Sequence, residues 1–345
     1  MLAWPWMNQL NQLKPLIAVT LGDPVGVGPE VVAKALADAR ATALCRTVVV
    51  GEAAVLDRAF ALVGSPLRAA VVESPEQAVE RDAVPVLQDA GDGIAELPYG
   101  RVSAAAGEAA VRWATTAAKL AMDGSVAAIA TAPISKEAAA LAGYSEVGHQ
   151  EIYQQLTGVN QIATMLVTTG LLVVHLTTHH SLRVACEHVT RENVLAKLEL
   201  THKFFAGHGV PAPRIAAAAL NPHGGEAGII GSEEIEAIAP AVEDARALGI
   251  DVIGPIPADS VFGQAIDGRY DVVLAMYHDQ GHIAIKVHDW VASTTTNLGL
   301  PFTRTSVDHG TAFDIAGMGT ADPTGMIHAI RLAANLAASG TISSA

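Results

Sequence analysis

Short apolar runs alternate with longer amphipathic ones over almost the whole chain, and this alternation constrains the fold more than any other feature. LIAVT (16–20), TVVV (47–50), VAAIA (126–130), TMLVTTGLLVVHLTT (164–178), RIAAAAL (214–220) and DVVLAM (271–276) are apolar and often β-branched, so they read as buried strands. Between them PEVVAKALADA, GEAAVRWATTAAKLAM, ENVLAKLELTHKFFAG and EEIEAIAPAVEDARALG carry apolar residues at helical spacing. The last of these has Ser232 and two glutamates at its start and Gly249 at its end, the pattern of a capped helix. MIHAIRLAANLAASG closes the chain as a further helix. Strand–helix alternation of this kind predicts an α/β fold with a largely parallel sheet.

With 345 residues the chain exceeds what one hydrophobic core usually supports, so two domains, or one large one, are expected. Half the residues are apolar and 16% are charged, a well-packed composition and not a disordered one. A formal net charge of -14 disfavours nucleic acid or an anionic membrane surface as partner. A small phosphorylated substrate remains open, because a few Lys and Arg can hold one inside an acidic shell. The two cysteines, Cys45 and Cys186, have no paired spacing, which points to a reducing, cytoplasmic compartment. No apolar run has transmembrane length. Residues 1–13 read as a loose extension without signal-peptide features, with Met7 as a candidate natural start.

All thirteen histidines lie at or after residue 149. Three follow strand-like runs directly: His179 in HLTTHH, His223 in LNPHGGE and His278 in AMYHDQG. In open α/β sheets ligands gather beyond the carboxyl ends of strands, so residues distant in sequence can meet there. Three neutral imidazoles leave open positions on a divalent ion, the pattern of a catalytic metal site. Each histidine taken singly reads equally as a hydrogen-bonded loop residue. His180 and His282 are weaker candidates, and the alternation of its run makes His175 a core residue. Asp259 in PIPADS and Asp279 could orient the imidazoles; Asp279 could equally cap a helix.

LGDPVGVGPEVV follows the first strand and opens the first helix, offering free amides to an anion. It does not satisfy the GxGxxG spacing of a dinucleotide fingerprint. VDHGTAFDIAGMGTADPTG (307–325) is a long glycine-punctuated loop, and structured loops of this length tend to be functional. Lys286 and Arg304 are the basic residues nearest these polar segments, and Arg suits bidentate phosphate or carboxylate contact. Lys136 in TAPISK and His149 in EVGHQE follow another strand and could serve the same site.

GDPVGVGPE, TAPISK, GYSEVGHQE, LTTHH, LNPHGGE, PIPADS, YHDQG, LGLPFTRTSVDHGTAFDIAG and the trailing ADP occur in one order from about residue 15 to 340. Together they resemble the 4-hydroxythreonine-4-phosphate dehydrogenase family of vitamin B6 (pyridoxine) biosynthesis. Two stretches are more distantly similar to isopropylmalate dehydrogenases, which bind NAD without a Rossmann fingerprint. The resemblance implies a two-domain fold with a cleft, with residues 14–135 and 292–340 in the first domain and 136–291 in the second. It implies a divalent metal (Zn, Mg, Co or Mn) on His179, His223 and His278. It implies substrate contacts at His149, Gln150, Lys286, Thr295 and Arg304, and NAD or NADP near His309, Gly310 and Asp314. Lys286, Asp259 and Asp279 are then the candidate catalytic groups, and the site is completed across a homodimer interface. The implied reaction is oxidation, with decarboxylation, of 4-hydroxy-L-threonine 4-phosphate or a close analogue. A metal that lowers the pKa of the substrate hydroxyl, and a nicotinamide that takes the hydride, supply its chemistry.

Two positions depart from the family pattern. GHTE becomes Gly148-His149-Gln150-Glu151, and an asparagine expected nine residues after Lys286 is Thr295, with Asn297 two places on. Both fall at implied substrate contacts, which leaves a four-carbon sugar-acid phosphate (threonate or erythronate 4-phosphate) as the alternative substrate. A metal-dependent hydrolase of a phosphorylated small molecule and a non-catalytic binder of such ligands are more remote readings.

Overall fold

The computed structural model describes residues 14–78, 83–89, 93–146 and 148–339. The expected extension at 1–13, with Met7, lies outside them. Strands run in the order β1 (Leu16–Thr20), β2 (Arg46–Gly51), β3 (Ala69–Val72), β4 (Val84–Gln88), β5 (Ala128–Thr131), β6 (Ala163–Thr168), β7 (Leu171–His175), β8 (Ile215–Ala218), β9 (Val252–Ile256), β10 (Val272–Ala275), β11 (Thr294–Leu298) and β12 (Arg304–Val307). Residues 14–160 with 300–339 cluster as one compact unit and residues 161–299 as a second. Helices Lys136–Leu141 and His149–Thr157 therefore belong with the first unit, where they pack on helix Ala104–Met122. The chain crosses between units at residues 160/161 and 299/300, whereas the resemblance implies crossings near 135 and 292.

In the first unit the strand order is β3-β4-β2-β1-β5-β12, all parallel. β1 and the carboxyl half of β2 are wholly buried, as expected of parallel strands covered on both faces by helices. Ser103 accepts from Ala106 N at the start of helix Ala104–Met122, whose Trp113 is fully buried and donates from Nε1 to Asp89 O at 2.7 Å.

In the second unit the order is β11-β6-β7-β10-β8-β9. Here β7, β10, β8 and β9 are parallel neighbours, while β6 runs antiparallel to both β11 and β7. The expected single run 164–178 is thus a hairpin: Thr168 pairs with Leu171, and Gly170 takes φ 77° in the turn, a conformation that favours glycine in two-residue loops. Leu166, Val173, Ala216, Val273 and Ile285 form the core of this unit. The helix expected from Ser232 also differs. Its first turn, Glu234–Ile238, is π-helical with no side-chain cap, and regular helix runs Ala239–Ala247. Pro240 has no N–H to continue the i→i−4 ladder, which accounts for the widened turn before it. Gly249, at φ 84°, ends the segment as expected.

Candidate active site

His179, His223 and His278 follow β7, β8 and β10, three adjacent parallel strands, so all three leave the same edge of the second-unit sheet. Side-chain bonds stitch the three turns together. Thr177 Oγ1 donates to Met276 O at 3.0 Å, linking the turns after β7 and β10. Gln280 accepts from Met276 N at 2.7 Å and donates to Ala219 O at 2.8 Å, linking those after β10 and β8. The LNPHGGE turn hangs on the buried carboxylate of Glu234, which accepts from Leu220 N, Asn221 N and Asn221 Nδ2 at 2.8, 2.7 and 2.9 Å. The turn needs this anchor: His223, Glu226 and Ala227 all sit at positive φ (53°, 47° and 56°), a region costly for side-chain-bearing residues.

The rings of His179 and His278 lie 6.0 Å apart. His278 stacks on His282 at 3.5 Å, and the buried His175 lies beneath, 4.7 Å from His282. Burial first, then His282, pushes the pKa of His175 down to about 3, so it stays a neutral core ring, as its alternation predicts. His223 turns toward Glu226, with Nδ1 to Oε1 at 2.9 Å. Among the described residues no three His, Cys, Asp or Glu side chains gather closely enough to hold a metal ion. The donor chemistry of the histidines nevertheless fits one. His278 Nδ1 bonds Asp279 Oδ1 at 2.7 Å and His223 Nδ1 bonds Glu226. An ionised carboxylate only accepts, so both rings carry the Nδ1 proton and present Nε2 as a lone-pair donor, the tautomer of carboxylate-oriented metal histidines. Asp279 therefore supports His278 and does not cap: Tyr277 is the N-cap residue of helix His278–Asp289, and no side chain caps that helix. Asp259 is exposed in the first turn of helix Ala258–Ile266. Lys286 lies two turns beyond His278 on the same helix, its Nζ 5.1 Å over the Trp290 ring. Thr295 is half-buried on β11, and Asn297 is buried on the same strand face.

The first unit holds a different constellation. Arg304 opens β12 and is fully buried; its Nε and Nη2 both donate to Thr131 Oγ1, at 3.0 and 2.8 Å. Thr131 ends the neighbouring strand β5, two residues beyond the register partner of Arg304 and so on the same face. The guanidinium stands 5.9 Å over the ring of Tyr153, which packs edge-on against Phe302 at 5.6 Å. His149, one helical turn before Tyr153, is half-buried with Nε2 covered. Burial, followed by the charge of Arg304, holds the His149 pKa well below its usual value, so the imidazole is neutral at pH 7. Burial lowers the Arg304 pKa to about 10, which leaves it cationic. Gln150 is half-buried, and Lys136 is exposed at the start of helix Lys136–Leu141.

The glycine loops meet within this unit. Val27 N donates to Thr311 O at 2.9 Å, and the buried Glu30 accepts from Gly319 N and Ala321 N at 3.2 and 2.7 Å. Lys34 bonds Glu30 at 2.9 Å and the carbonyls of Gly319 and Ala321 at 2.9 and 2.6 Å. A partly buried ion pair thus clasps the late loop to the first helix, Gly28–Leu36. His309, Gly310 and Asp314 stay exposed on that loop, with His309 Nδ1 on Gly310 O at 2.9 Å.

Asp23, in GDPVGVGPE, is fully buried. Its Oδ1 accepts from Val25 N at 3.0 Å and its Oδ2 has no partner. Burial pushes its pKa up from 3.8 to about 6, against the pull of the Val25 and Gly26 amides. With the folded pKa above the unfolded one, its contribution to stability is fully present below pH 3.8 and is lost as pH rises through about 6. Above that pH the carboxylate costs at most about 3 kcal/mol. Asp23→Asn should therefore raise Tm at pH 8 and leave it nearly unchanged at pH 4, by calorimetry. An equal gain at both pH values would show that ionisation is not the cause.

The chain matches the family model described as pyridoxal phosphate biosynthetic protein PdxA over residues 43–333. It belongs to this family. It is 44% identical to the D-threonate 4-phosphate dehydrogenase of Cupriavidus necator, over 95% of this chain and 99% of that one. It is 43% identical to the 4-hydroxythreonine-4-phosphate dehydrogenase of Desulforapulum autotrophicum, over 93% of this chain and 95% of the relative. The crystal structure of 4-hydroxythreonine-4-phosphate dehydrogenase from Klebsiella pneumoniae superposes with a TM-score of 0.86 at 43% identity, covering 94% of this chain and 99% of that one. The PdxA-like fold is mixed α/β, with mostly parallel strands in both units, as the alternating runs imply. Cys45 and Cys186 are both free, and no helix among the described residues is long and apolar enough to cross a membrane. Sequence reasoning missed Thr131, Glu226, Glu234 and Tyr153. Only Tyr153 carried a readable signal, its i+4 spacing from His149.

Proposed function

We propose that this chain is a metal-dependent, NAD(P)-linked dehydrogenase of a four-carbon 3-hydroxy acid carrying a 4-phosphate, releasing carbon dioxide from the oxidised product. D-threonate 4-phosphate comes first and 4-hydroxythreonine 4-phosphate second, because Gln150 and Thr295 depart from the family pattern at substrate positions. The observation that carries the reading is Arg304: a buried guanidinium, fixed by Thr131 and flanked by a neutral imidazole, is a receptor for a dianionic group.

His179, His223 and His278 would hold the divalent ion, Zn, Mg, Co or Mn, with Asp279 and Glu226 fixing two of the rings. When bound, the ion supplies a lowered pKa for the substrate hydroxyl and the nicotinamide supplies the hydride acceptor. Arg304 and His149 orient the phosphate, and Lys286 is the second cation for the acid. The clasp of Glu30 and Lys34 holds the loop bearing His309, Gly310 and Asp314, where the cofactor's adenosine would lie. Lys286, Asp259 and Asp279 are the groups available to move protons. A homodimer would complete the site: Ile229, Ile230, Ile283, Val287, Trp290 and Val291 of the second unit are all exposed apolar residues, an arrangement typical of an uncovered interface.

The test is initial-rate NAD(P)H formation at 340 nm with D-threonate, erythronate and 4-hydroxythreonine 4-phosphates, each with and without divalent metal, on material of mass determined by light scattering. Turnover of D-threonate 4-phosphate at the highest kcat/KM is expected. A preference for the amino substrate would move the chain to vitamin B6 synthesis, and turnover of none of the three would overturn the reading.

A further inference from the structure

Tyr153 is the unused polar group of the Arg304 constellation. Its side chain is fully buried and its hydroxyl has no hydrogen-bond partner. A buried tyrosine hydroxyl ordinarily finds one, because leaving it unsatisfied costs stability. The ring cannot swing away to find a partner: Phe302 holds it edge-on at an interplanar angle of 85°, and helix His149–Thr157 fixes its backbone. His149, one turn earlier on the same helix face, repeats the pattern. Its ring lies 5.8 Å from that of Tyr153, and its Nε2 is covered and unpartnered. Two orphaned polar atoms on one helix face stand beside a buried guanidinium, itself 5.9 Å from the Tyr153 ring.

We propose that the Tyr153 hydroxyl is a substrate-binding group that donates a hydrogen bond to the phosphate held by Arg304, with His149 Nε2 binding beside it. A carboxylate has only two oxygens to share among a guanidinium, a phenol and an imidazole, whereas a phosphate monoester has three strong acceptor oxygens for them. The phenol stays protonated, since burial raises its pKa further above its usual value. Tyr153 therefore trades stability of the free enzyme for grip on the ligand. This inference rests on the reading that the substrate is phosphorylated.

Tyr153→Phe deletes the hydroxyl and keeps the ring. KM for the phosphorylated acid should rise about tenfold, with kcat and the KM for NAD(P) within twofold, and Tm of the free enzyme unchanged or higher. A purely structural role would lower Tm and move both KM values. Thermal shift with inorganic phosphate gives an independent reading: phosphate should stabilise the wild type more than Tyr153→Phe. If no phosphorylated acid is turned over yet phosphate still distinguishes the two proteins, the reaction assignment falls and the anion role of Tyr153 stands. Equal stabilisation of both by phosphate, or of neither, or an unchanged substrate KM in Tyr153→Phe, overturns the role.

Discussion

Arg304→Met should lower kcat/KM for the phosphorylated acid by roughly 10²–10³-fold, almost entirely through KM, while leaving the folded protein as stable as the wild type or more so. The guanidinium is buried, and its Nε and Nη2 are spent on one hydroxyl, Thr131 Oγ1. Desolvating that charge is costly enough to pull its pKa to about 10. A methionine of similar length removes this cost and keeps the packing against Tyr153. Binding is lost with the charge, because a hydrogen-bonded ion pair in a dry site is worth several kcal/mol when one partner is truncated. Arg304→Lys should rescue little: an ammonium cannot reproduce the planar double contact with Thr131. Isothermal titration with substrate and a Tm on each variant separate binding from folding. An Arg304→Met enzyme with wild-type KM would place the phosphate elsewhere.

His278→Ala should abolish turnover, by roughly 10³-fold or more, and bring bound metal well below one equivalent per chain. Its ring is a third exposed, stacks on His282 and leans on Asp279, so its loss should leave Tm nearly unchanged. That separates loss of a ligand from loss of the fold. Asp279→Asn should keep the fold and lose a smaller factor, roughly 10–100-fold in metal affinity, because the carboxylate fixes only the ring's tautomer and orientation. Metal content by mass spectrometry and rates before and after chelation read both variants. Full metal occupancy in His278→Ala would remove His278 from the ligand set.

Much of this site is legible in the amino-acid sequence. LNPHGGE and YHDQG mark strand-end histidines, each of which alone reads equally as a hydrogen-bonded loop residue; their recurrence after three apolar runs and the family resemblance make them metal candidates. Arg304 and His149 are picked out by the family resemblance of LGLPFTRTSVDHGTAFDIAG and GYSEVGHQE. Glu234 is hidden inside a helical pattern, where a glutamate ordinarily faces water; here it is buried and accepts three N–H groups. Thr131 is unremarkable in TAPISK, since a threonine at a strand end matters only when another strand brings an arginine to it.

The sequence by itself determined the α/β class, the first and central strands and most helices, because period and apolarity are local properties that one pass along the chain can read; the candidate site residues came from the family resemblance of its motifs. The hairpin at Gly170, the short strands β3, β4, β9, β11 and β12, and the membership of helix His149–Thr157 in the first unit were decided by tertiary structure. Four of them, VPVLQ, VIGPI, TTTNL and RTSV, are interrupted by proline, glycine or polar residues, so no continuous apolar run marks them, and they form only where a neighbouring strand supplies the other half of the ladder. The meeting of Tyr153, His149 and Arg304 has the same origin: positions 149 and 304 are joined by packing alone, and the cost of burying their polar atoms exists only once the chain has folded around them.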